Sequence, residues 1–225
     1  MSIDLGLDNL CAITFKNNKD QYLISGKSLK SKNSYFNKAM AKLISQRMVE
    51  TGTIKFKRTN KMQRLQKKRN NIIKDGLHKT SKEVIRLAQA NQCRVIVIGD
   101  IKGIKQDNTI KSFVQIPISE LMHQIKYKAE LKGIQVMLIK EHYTSGVSAY
   151  DLEELNKASY NKTRRVKRGL FKTKDGYLVN SDINGSLNIM RRYMMEAEKT
   201  NVVPMLIKEL RDNGGLDHPV RLKVI

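Results

Sequence analysis

The chain has 225 residues, 40% of them hydrophobic, and 43 Lys and Arg residues against 21 Asp and Glu give it a formal net charge of +22. This length allows one full α/β domain or two small ones, and the apolar content excludes wholesale disorder. Neither a signal-peptide pattern nor an apolar run near the ~20 residues of a membrane span is present, so we expect a cytoplasmic protein without a membrane partner. The charge excess favours nucleic acid as partner.

Three short strands are predicted first, at residues 3–5, 11–15 and 22–25. The sequence KNNKD between the second and third strands predicts a hairpin turn, because Asn and Asp are frequent in turns. Helical spacing of apolar residues at 34–48 then predicts a first helix.

A second, longer helical stretch follows the first helix. Asp75 and Gly76 predict a break in it, after which the sequence KTSKEVIRLAQANQ resumes the helical pattern. Thr80 or Ser81 is the expected N-cap of the resumed helix, with Glu83 in its first turn.

The remaining elements alternate between strand and helix. RVIVIGD and IQVMLIKE each predict a strand buried on both faces, and the helix predicted between them, at 118–131, is bounded by Pro117 and Gly133. A polar, basic insert at about 144–178 precedes a last helix that begins near Asp182. The order β-β-β-α-α-β-α-β-insert-α predicts an α/β protein with the ribonuclease H-like fold, a mixed sheet flanked by helices.

Two carboxylates stand at positions where this fold places acids. Asp4 lies on the first strand, which is central in the fold, and Asp182 lies at the start of the last helix. Each has an ordinary alternative, since Asp4 could be a solvated strand residue and Asp182 could be a helix N-cap.

The positive charge is concentrated in two runs without any acid, nine Lys and Arg at 55–74 and seven at 162–174. We predict that these runs contact nucleic-acid phosphates. A merely solvated face is the alternative, and a membrane surface is a weaker one because neither run has a clear apolar face. The predicted nucleic-acid-binding residues are Lys55, Lys57, Arg58, Lys61, Arg64, Lys67, Lys68, Arg69, Lys162, Arg164, Arg165, Lys167 and Arg168.

Two of the acid-bearing segments resemble a known family. IDLGLDNLCAI and SDINGSLNIMRR resemble the first and third RuvC motifs of the TnpB (OrfB) proteins, transposon-encoded RNA-guided nucleases ancestral to type V CRISPR effectors. VIVIGDIKGIKQ, FVQIPISELMHQIKYKAELKGIQV, EHYTSGVS and RRVKRGLFKTKDGYLVNSDINGS follow in the order of the same family, so the resemblance runs from residue 2 to about residue 193.

The resemblance implies a RuvC-like nuclease domain at residues 1–199 and a tail at 200–225. It implies DNA and guide RNA as partners and hydrolysis of DNA by two Mg²⁺ ions, one activating the attacking water and the other stabilising the leaving 3′ oxygen. In the family, a segment before the first RuvC motif holds most of the guide RNA. We therefore expect this chain to correspond to the C-terminal nuclease half.

The second RuvC motif departs from the family pattern. Its strand normally ends with Glu followed by Asp, whereas VIVIGDIKG has Gly99 and then Asp100. One residue along a strand turns a side chain to the opposite face, so Asp100 is not expected to replace the Glu. Glu141, at the end of the next strand, is the expected substitute, and an ordinary exposed Glu is the alternative. The predicted catalytic and metal-binding set is Asp4, Glu141 and Asp182.

The family's zinc-binding cysteines are also missing, because no Cys lies between Thr144 and Asp182. A tetrahedral zinc site needs four nitrogen or sulfur ligands and only His142 is near, so we expect no zinc. Cys11 and Cys93, the two cysteines of the chain, are isolated and fit a reducing compartment. Two hypotheses stay open, an active Mg²⁺-dependent nuclease and an inactive relative that only binds RNA or DNA.

Overall fold

A computed structural model describes residues 1–16, 18, 20–100, 116–167, 169–198, 207–209 and 218–224, with the side chains of 197 and 198 left out. A six-stranded sheet in the order β5-β4-β1-β2-β3-β8 forms its centre. The strands are β1 (Ser2–Leu5), β2 (Asn9–Thr14), β3 (Tyr22–Ser25), β4 (Val95–Asp100), β5 (Gln135–Lys140) and, from the expected C-terminal tail, β8 (Val220–Leu222).

The strand pairing is that of the predicted fold. β1 pairs antiparallel with β2 and parallel with β4, and β4 pairs parallel with β5. β3 pairs antiparallel with β2 and parallel with β8. Because β4 and β5 are neighbours in the sheet that contains the first strand, the ribonuclease H-like, RuvC-type prediction is confirmed.

In the described part of the chain, four long helices surround the sheet: α1 (Lys27–Thr51), α2 (Asn60–Ala90), α3 (Ile118–Glu130) and α4 (Ser181–Tyr193), the last continuing into a π-helical turn, Met194–Glu198. The insert before α4 contains a 3₁₀ turn, Lys162–Arg164, and a small antiparallel sheet of β6 (Leu170–Lys172) and β7 (Leu178–Asn180). Among the described residues, no helix is long and apolar enough to cross a membrane.

The helices cover both faces of the sheet, as strand alternation requires. Ile3 and Ile98 belong to a buried cluster with residues of α2 and α3, such as Leu77 and Ile125. On the other face, Val97 packs against Ile189 of α4. The face that carries the even-numbered residues of β1 is therefore the face covered by α4.

The predicted break in the second helix is wrong, because α2 continues through Asp75 and Gly76. Gly76 is buried within the helix, and the Asp75 carboxylate lies 2.8 Å from Lys79 Nζ, one turn further on. Burial of this face stabilises helical structure more than Gly disfavours it.

The N-cap predicted at Thr80 or Ser81 is wrong for the same reason. Both residues are buried inside α2, and Ser81 Oγ donates to the backbone oxygen of His78. The N-cap of α2 is Thr59, whose Oγ1 accepts from the backbone N–H of Met62 at 3.3 Å. Thr59 lies within the basic run at 55–74, whose charge pattern does not indicate that a helix begins there.

The prediction of a buried strand for IQVMLIKE is also wrong. β5 forms the edge of the sheet in the described part of the chain, and of its six residues only Ile139 is buried. Leu138, on the alternate face, is 43% exposed. An apolar run indicates strand content, but it does not distinguish an edge strand from a central one.

Candidate functional site

The register of the sheet brings Asp4, Gly99 and Glu141 to one face at one end. Ile3 pairs with Ile98, so Asp4 lies beside Gly99, and Gly99 pairs with Ile139, two residues before Glu141. Side chains alternate along strands, so these three positions share the face covered by α4. They lie at the carboxyl ends of adjacent parallel strands, where α/β sheets place their ligands.

The Glu141 side chain lies where a side chain at position 99 would otherwise be. A Cβ atom placed on Gly99 would overlap Oε1, Cδ and Cγ of Glu141. Oε1 of Glu141 is buried and has no hydrogen-bond partner among the described residues. Burial, followed by the nearby Asp100, raises the pKa of Glu141 to about 7. An unsatisfied buried carboxylate oxygen is costly in isolation, and a bound cation would satisfy it.

Asp4 is surrounded by the other two predicted acids. Burial raises its pKa well above the usual value, Glu141 and then Asp182 raise it further, and Arg165 opposes them. On the α4 side, a Cβ atom on Gly185 would overlap Oδ2 of Asp4. Gly185 therefore lets α4 approach the sheet closely enough to place Asp182 within the electrostatic field of Asp4.

Asp182 lies in the first turn of α4 but does not cap it. Asn180 is the N-cap, and its Oδ1 accepts from the backbone N–H groups of Asp182 and Ile183 at 3.0 and 3.1 Å. The N-cap alternative for Asp182 is therefore wrong. Oδ2 of Asp182 accepts from Nδ2 of Asn9 at 2.7 Å, and Oδ1 lies 3.6 Å from a guanidinium nitrogen of Arg165.

Three carboxylates are suitable ligands for a hard divalent cation, but in their present arrangement they do not form a coordination site. Among the described residues, no group of three or more His, Cys, Asp or Glu side chains is arranged to hold a metal ion. Like charges repel, so carboxylates that would share an ion stay apart until the ion is bound. Cation binding at this site would therefore draw the carboxylates together.

Asp100, which the sequence analysis excluded as a ligand, is the last residue of β4. By alternation it belongs to the face opposite Gly99, yet its charge contributes to the raised pKa of Glu141. That Glu141, and not Asp100, is the ligand stays a prediction.

The first basic run lies on a helical hairpin formed by α1 and α2. Lys55, Lys57 and Arg58 are exposed in the connection between the helices, and Lys61, Arg64, Lys67 and Lys68 are exposed on α2. Arg69 is half-buried: its Nε donates to Asn33 Oδ1 at 2.7 Å, and its guanidinium lies 5.8 Å from the ring centre of Phe36. The exposed residues form a basic surface that runs from the connection into the first turns of α2, and Arg69 contributes less to it.

The structure corrects the prediction that Arg164, in the second basic run, binds nucleic acid. Its guanidinium forms ion pairs with Asp151 at 2.5 Å and Glu153 at 2.7 Å, and it lies 4.9 Å from the ring centre of Phe171. The side chain is only 14% exposed. Two buried carboxylates already neutralise its charge, so Arg164 is not placed to contact a phosphate.

The neighbouring Arg165 has a role that the sequence analysis missed. Its side chain is 45% exposed and lies between Ser181 Oγ, at 3.3 Å, and Asp182 Oδ1. It is therefore a cation at the edge of the acid cluster. Lys162 and Lys167 are exposed, and Arg168 lies outside the described residues. No sequence signal distinguishes Arg164 from Arg165, since both belong to one uniform basic run.

The start of the insert is attached to α4 through two buried amides. Asn184 accepts from the backbone N–H of Ala149 at 2.9 Å and donates to the oxygen of Val147 at 2.8 Å. Asn188 donates to the oxygens of Thr144 and Val147. The segment after Glu141 is thus fixed to the helix that carries Asp182, so the two acids are held by one packed unit.

Two family models match parts of the chain. The OrfB_IS605 family model, described as a probable transposase, matches residues 1–105, and the model of the Cas12f1-like TNB domain matches residues 119–189. No curated protein matches the sequence significantly.

Two similar solved structures carry the titles "Cryo-EM structure of the Cas12f1-sgRNA-target DNA complex" and "Cryo-EM structure of CRISPR-Cas12f Ternary Complex". The first has a TM-score of 0.61 and 19% identity, and the match covers 83% of this chain and 48% of that one. The second has a TM-score of 0.60 and 21% identity, covering 83% of this chain and 37% of that one. The chain thus spans less than half the length of either protein. In its family matches and its fold, the chain is similar to OrfB-type probable transposases and to the Cas12f1-like proteins.

Proposed function

We propose that the chain is a nucleic-acid-binding, RuvC-like endonuclease that hydrolyses DNA phosphodiester bonds with Mg²⁺ held by Asp4, Glu141 and Asp182. The observation that carries the proposal is the position of Glu141, whose carboxylate takes the space left by Gly99. Its charge acts on Asp4 together with that of Asp182. The second RuvC motif has Gly99 in place of its usual Glu, and in this proposal Glu141, at the end of the adjacent strand, supplies the missing carboxylate.

Each side chain has a separate task in this proposal. Two Mg²⁺ ions bound by the acids would lower the pKa of the attacking water and stabilise the leaving 3′ oxygen. Asp4 and Glu141 belong to the sheet and Asp182 to α4, so the site is built from two packed layers. Arg165, half-exposed beside Asp182, would hold a DNA phosphate next to the acids.

We propose DNA and RNA as partners of the same chain. One of the similar solved structures is described as a complex of Cas12f1 with an sgRNA and a target DNA. The net charge of +22 and the exposed basic surface of the α1–α2 hairpin support a polyanionic partner for this chain as well. Binding by such a surface follows the phosphate backbone and depends little on base sequence.

An inactive relative that only binds nucleic acid is the second candidate. It is favoured by the arrangement of the acids, since the described residues include no group that could hold an ion as it stands. In this alternative, the basic hairpin would keep its affinity for RNA or DNA while the carboxylates no longer act.

The experiment incubates the purified chain with labelled single-stranded and duplex DNA in Mg²⁺, in Mn²⁺ and in EDTA. We expect cleavage with either ion, none in EDTA, and none for Asp182→Asn, while DNA binding by this variant persists. Binding without cleavage by the unaltered chain would select the inactive alternative. Absence of binding would reject both candidates.

A further inference from the structure

We propose that Asn9 is a positioning residue that holds the Asp182 carboxylate in the orientation needed to bind a divalent cation. The inference rests on the proposed function of the acids. Its central observation is the 2.7 Å hydrogen bond from Nδ2 of Asn9 to Oδ2 of Asp182. The two residues are 173 positions apart, so the bond joins the β1–β2 hairpin to the start of α4.

The hydrogen bond suits a residue that assists a metal ligand. An ionised carboxylate only accepts hydrogen bonds, so the amide nitrogen of Asn9 must face it. A neutral amide fixes the plane of the carboxylate without adding a positive charge that would compete with the cation. Hydrogen-bonded partners of metal ligands orient those ligands in the same way in other metal sites.

The pairing of β2 with β3 is irregular next to Asn9. Asn9 is the first residue of β2 and pairs with Ser25, but the register of β2 against β3 shifts between Asn9 and Cys11. A bulge re-aims the side chains next to it and is frequent beside active sites. The irregularity therefore gives Asn9 a direction that a regular strand would not.

The tight turn between β1 and β2 keeps Asn9 in place. The backbone N–H of Gly6 donates to the oxygen of Leu10 at 3.3 Å, and a Cβ on Gly6 would lie only 2.9 Å from the oxygen of Asn9. The Gly26 N–H donates to the oxygen of Asp8, whose carboxylate forms an ion pair with Lys30. The turn is thus attached to the start of α1.

The same hairpin carries Asp4 on its first strand and Asn9 on its second. It therefore supplies one acid directly and holds the second acid through an amide. A change in this turn would alter the separation of Asp4 and Asp182 even though neither acid is replaced.

The test uses Mn²⁺ alone as the probe and measures its affinity by electron paramagnetic resonance, without DNA. Asn9→Ala should weaken Mn²⁺ binding by about 10- to 100-fold, the usual effect of removing such a partner. Asn9→Gln keeps an amide donor and should recover part of the loss. Asn156→Ala is the matched control, because Asn156 donates to the Glu154 carboxylate at 2.8 Å on the exposed surface. It should leave Mn²⁺ affinity unchanged.

Circular dichroism in EDTA checks that each variant folds. If Asn9→Ala does not fold, Asn9→Ser takes its place in the test. If the unaltered chain binds Mn²⁺, Asp182→Asn does not, and the Asn9 variants bind like the unaltered chain, the inference is wrong and the proposed function stands. If the unaltered chain binds no Mn²⁺, both are wrong. Equal weakening in Asn9→Ala and Asn156→Ala would also overturn the inference, because the effect would then not be specific to this hydrogen bond.

Discussion

The Glu141 side chain occupies the space that a side chain at Gly99 would need. In this arrangement the two positions compete for the same space, so we expect one acid, at either position, to serve the site. A double substitution tests this directly. Glu141→Gly should abolish stabilisation of the fold by Mg²⁺, and adding Gly99→Glu should restore part of it, measured as the shift in melting temperature with Mg²⁺. A double variant as insensitive to Mg²⁺ as Glu141→Gly would mean that position 99 does not face the site.

Isosteric substitutions can show whether Glu141 or Asp100 binds the metal ion. Ligand binding to the folded state stabilises it, by about 2.7 kcal/mol at a hundredfold excess over the dissociation constant. Glu141→Gln should lose this gain and any Mg²⁺-dependent DNA cleavage, as should Asp4→Asn and Asp182→Asn. Asp100→Asn should keep both, because strand alternation directs the Asp100 side chain away from the face that carries Asp4 and Gly99.

The reverse result, in which Asp100→Asn removes metal stabilisation and Glu141→Gln does not, would show that the acid was not relocated. If all four variants behave like the unaltered chain and none cleaves DNA, the inactive alternative is correct.

Local patterns predicted the elements of this fold, while tertiary contacts decided the details. Apolar runs located β4 and β5, but only pairing made β5 an edge strand. Asp75 and Gly76 form a good breaking signal, yet α2 stays continuous because Gly76 is buried within it. Local propensity is a weak prior when a helix has a face to bury.

The candidate site, too, was predictable in part from local motifs and in part only from the fold. The motifs predicted Asp4 and Asp182 as ligands, and the missing acid at Gly99 led to the prediction of Glu141; the structure places the three in one electrostatic cluster. The bond from Asn9 to Asp182 was beyond sequence reasoning, since nothing local connects residues 173 positions apart. Arg164 and Arg165 are identical in type and adjacent, and only the fold places one between buried acids and the other beside Asp182.

The basic surface on α2 predicts salt-dependent binding of nucleic acid. Replacing Lys61, Arg64, Lys67 and Lys68 by Gln should flatten the plot of log K against log salt by about 0.9 for each duplex phosphate that the variant no longer neutralises. Arg69 is left unchanged because it already contacts Asn33. The measurement is fluorescence anisotropy on duplex DNA at several salt concentrations.

A matched control removes the same charge elsewhere. Lys82, Arg94, Lys126 and Lys132 are also exposed and lie outside both basic runs. Their replacement by Gln should change the salt slope less than the α2 set does. Equal slopes for the two sets would mean that binding depends on net charge and not on the α2 surface.

The last prediction concerns the ion-pair cluster around Arg164. Burial tends to raise the pKa of Asp151, but the backbone N–H of Lys174, the Ser148 hydroxyl and the Arg164 guanidinium together hold it below its usual 3.8. A carboxyl whose folded-state pKa is lowered stabilises the fold above the unfolded-state pKa, and this contribution is lost as the pH falls through the folded value.

Asp151→Asn should therefore lower the free energy of unfolding by about 1.5–3 kcal/mol at pH 7, the range for hydrogen bonds to charged groups. The difference from the unaltered chain should shrink as the pH falls below 3.8, where the native carboxyl also becomes protonated. Urea unfolding at a series of pH values measures both effects. Asp75→Asn is the control, since that carboxylate is 59% exposed in its pair with Lys79, and it should cost less than about 1 kcal/mol. A loss in Asp151→Asn that is independent of pH, or one matched by Asp75→Asn, would show that the ionised Asp151 does not stabilise the insert.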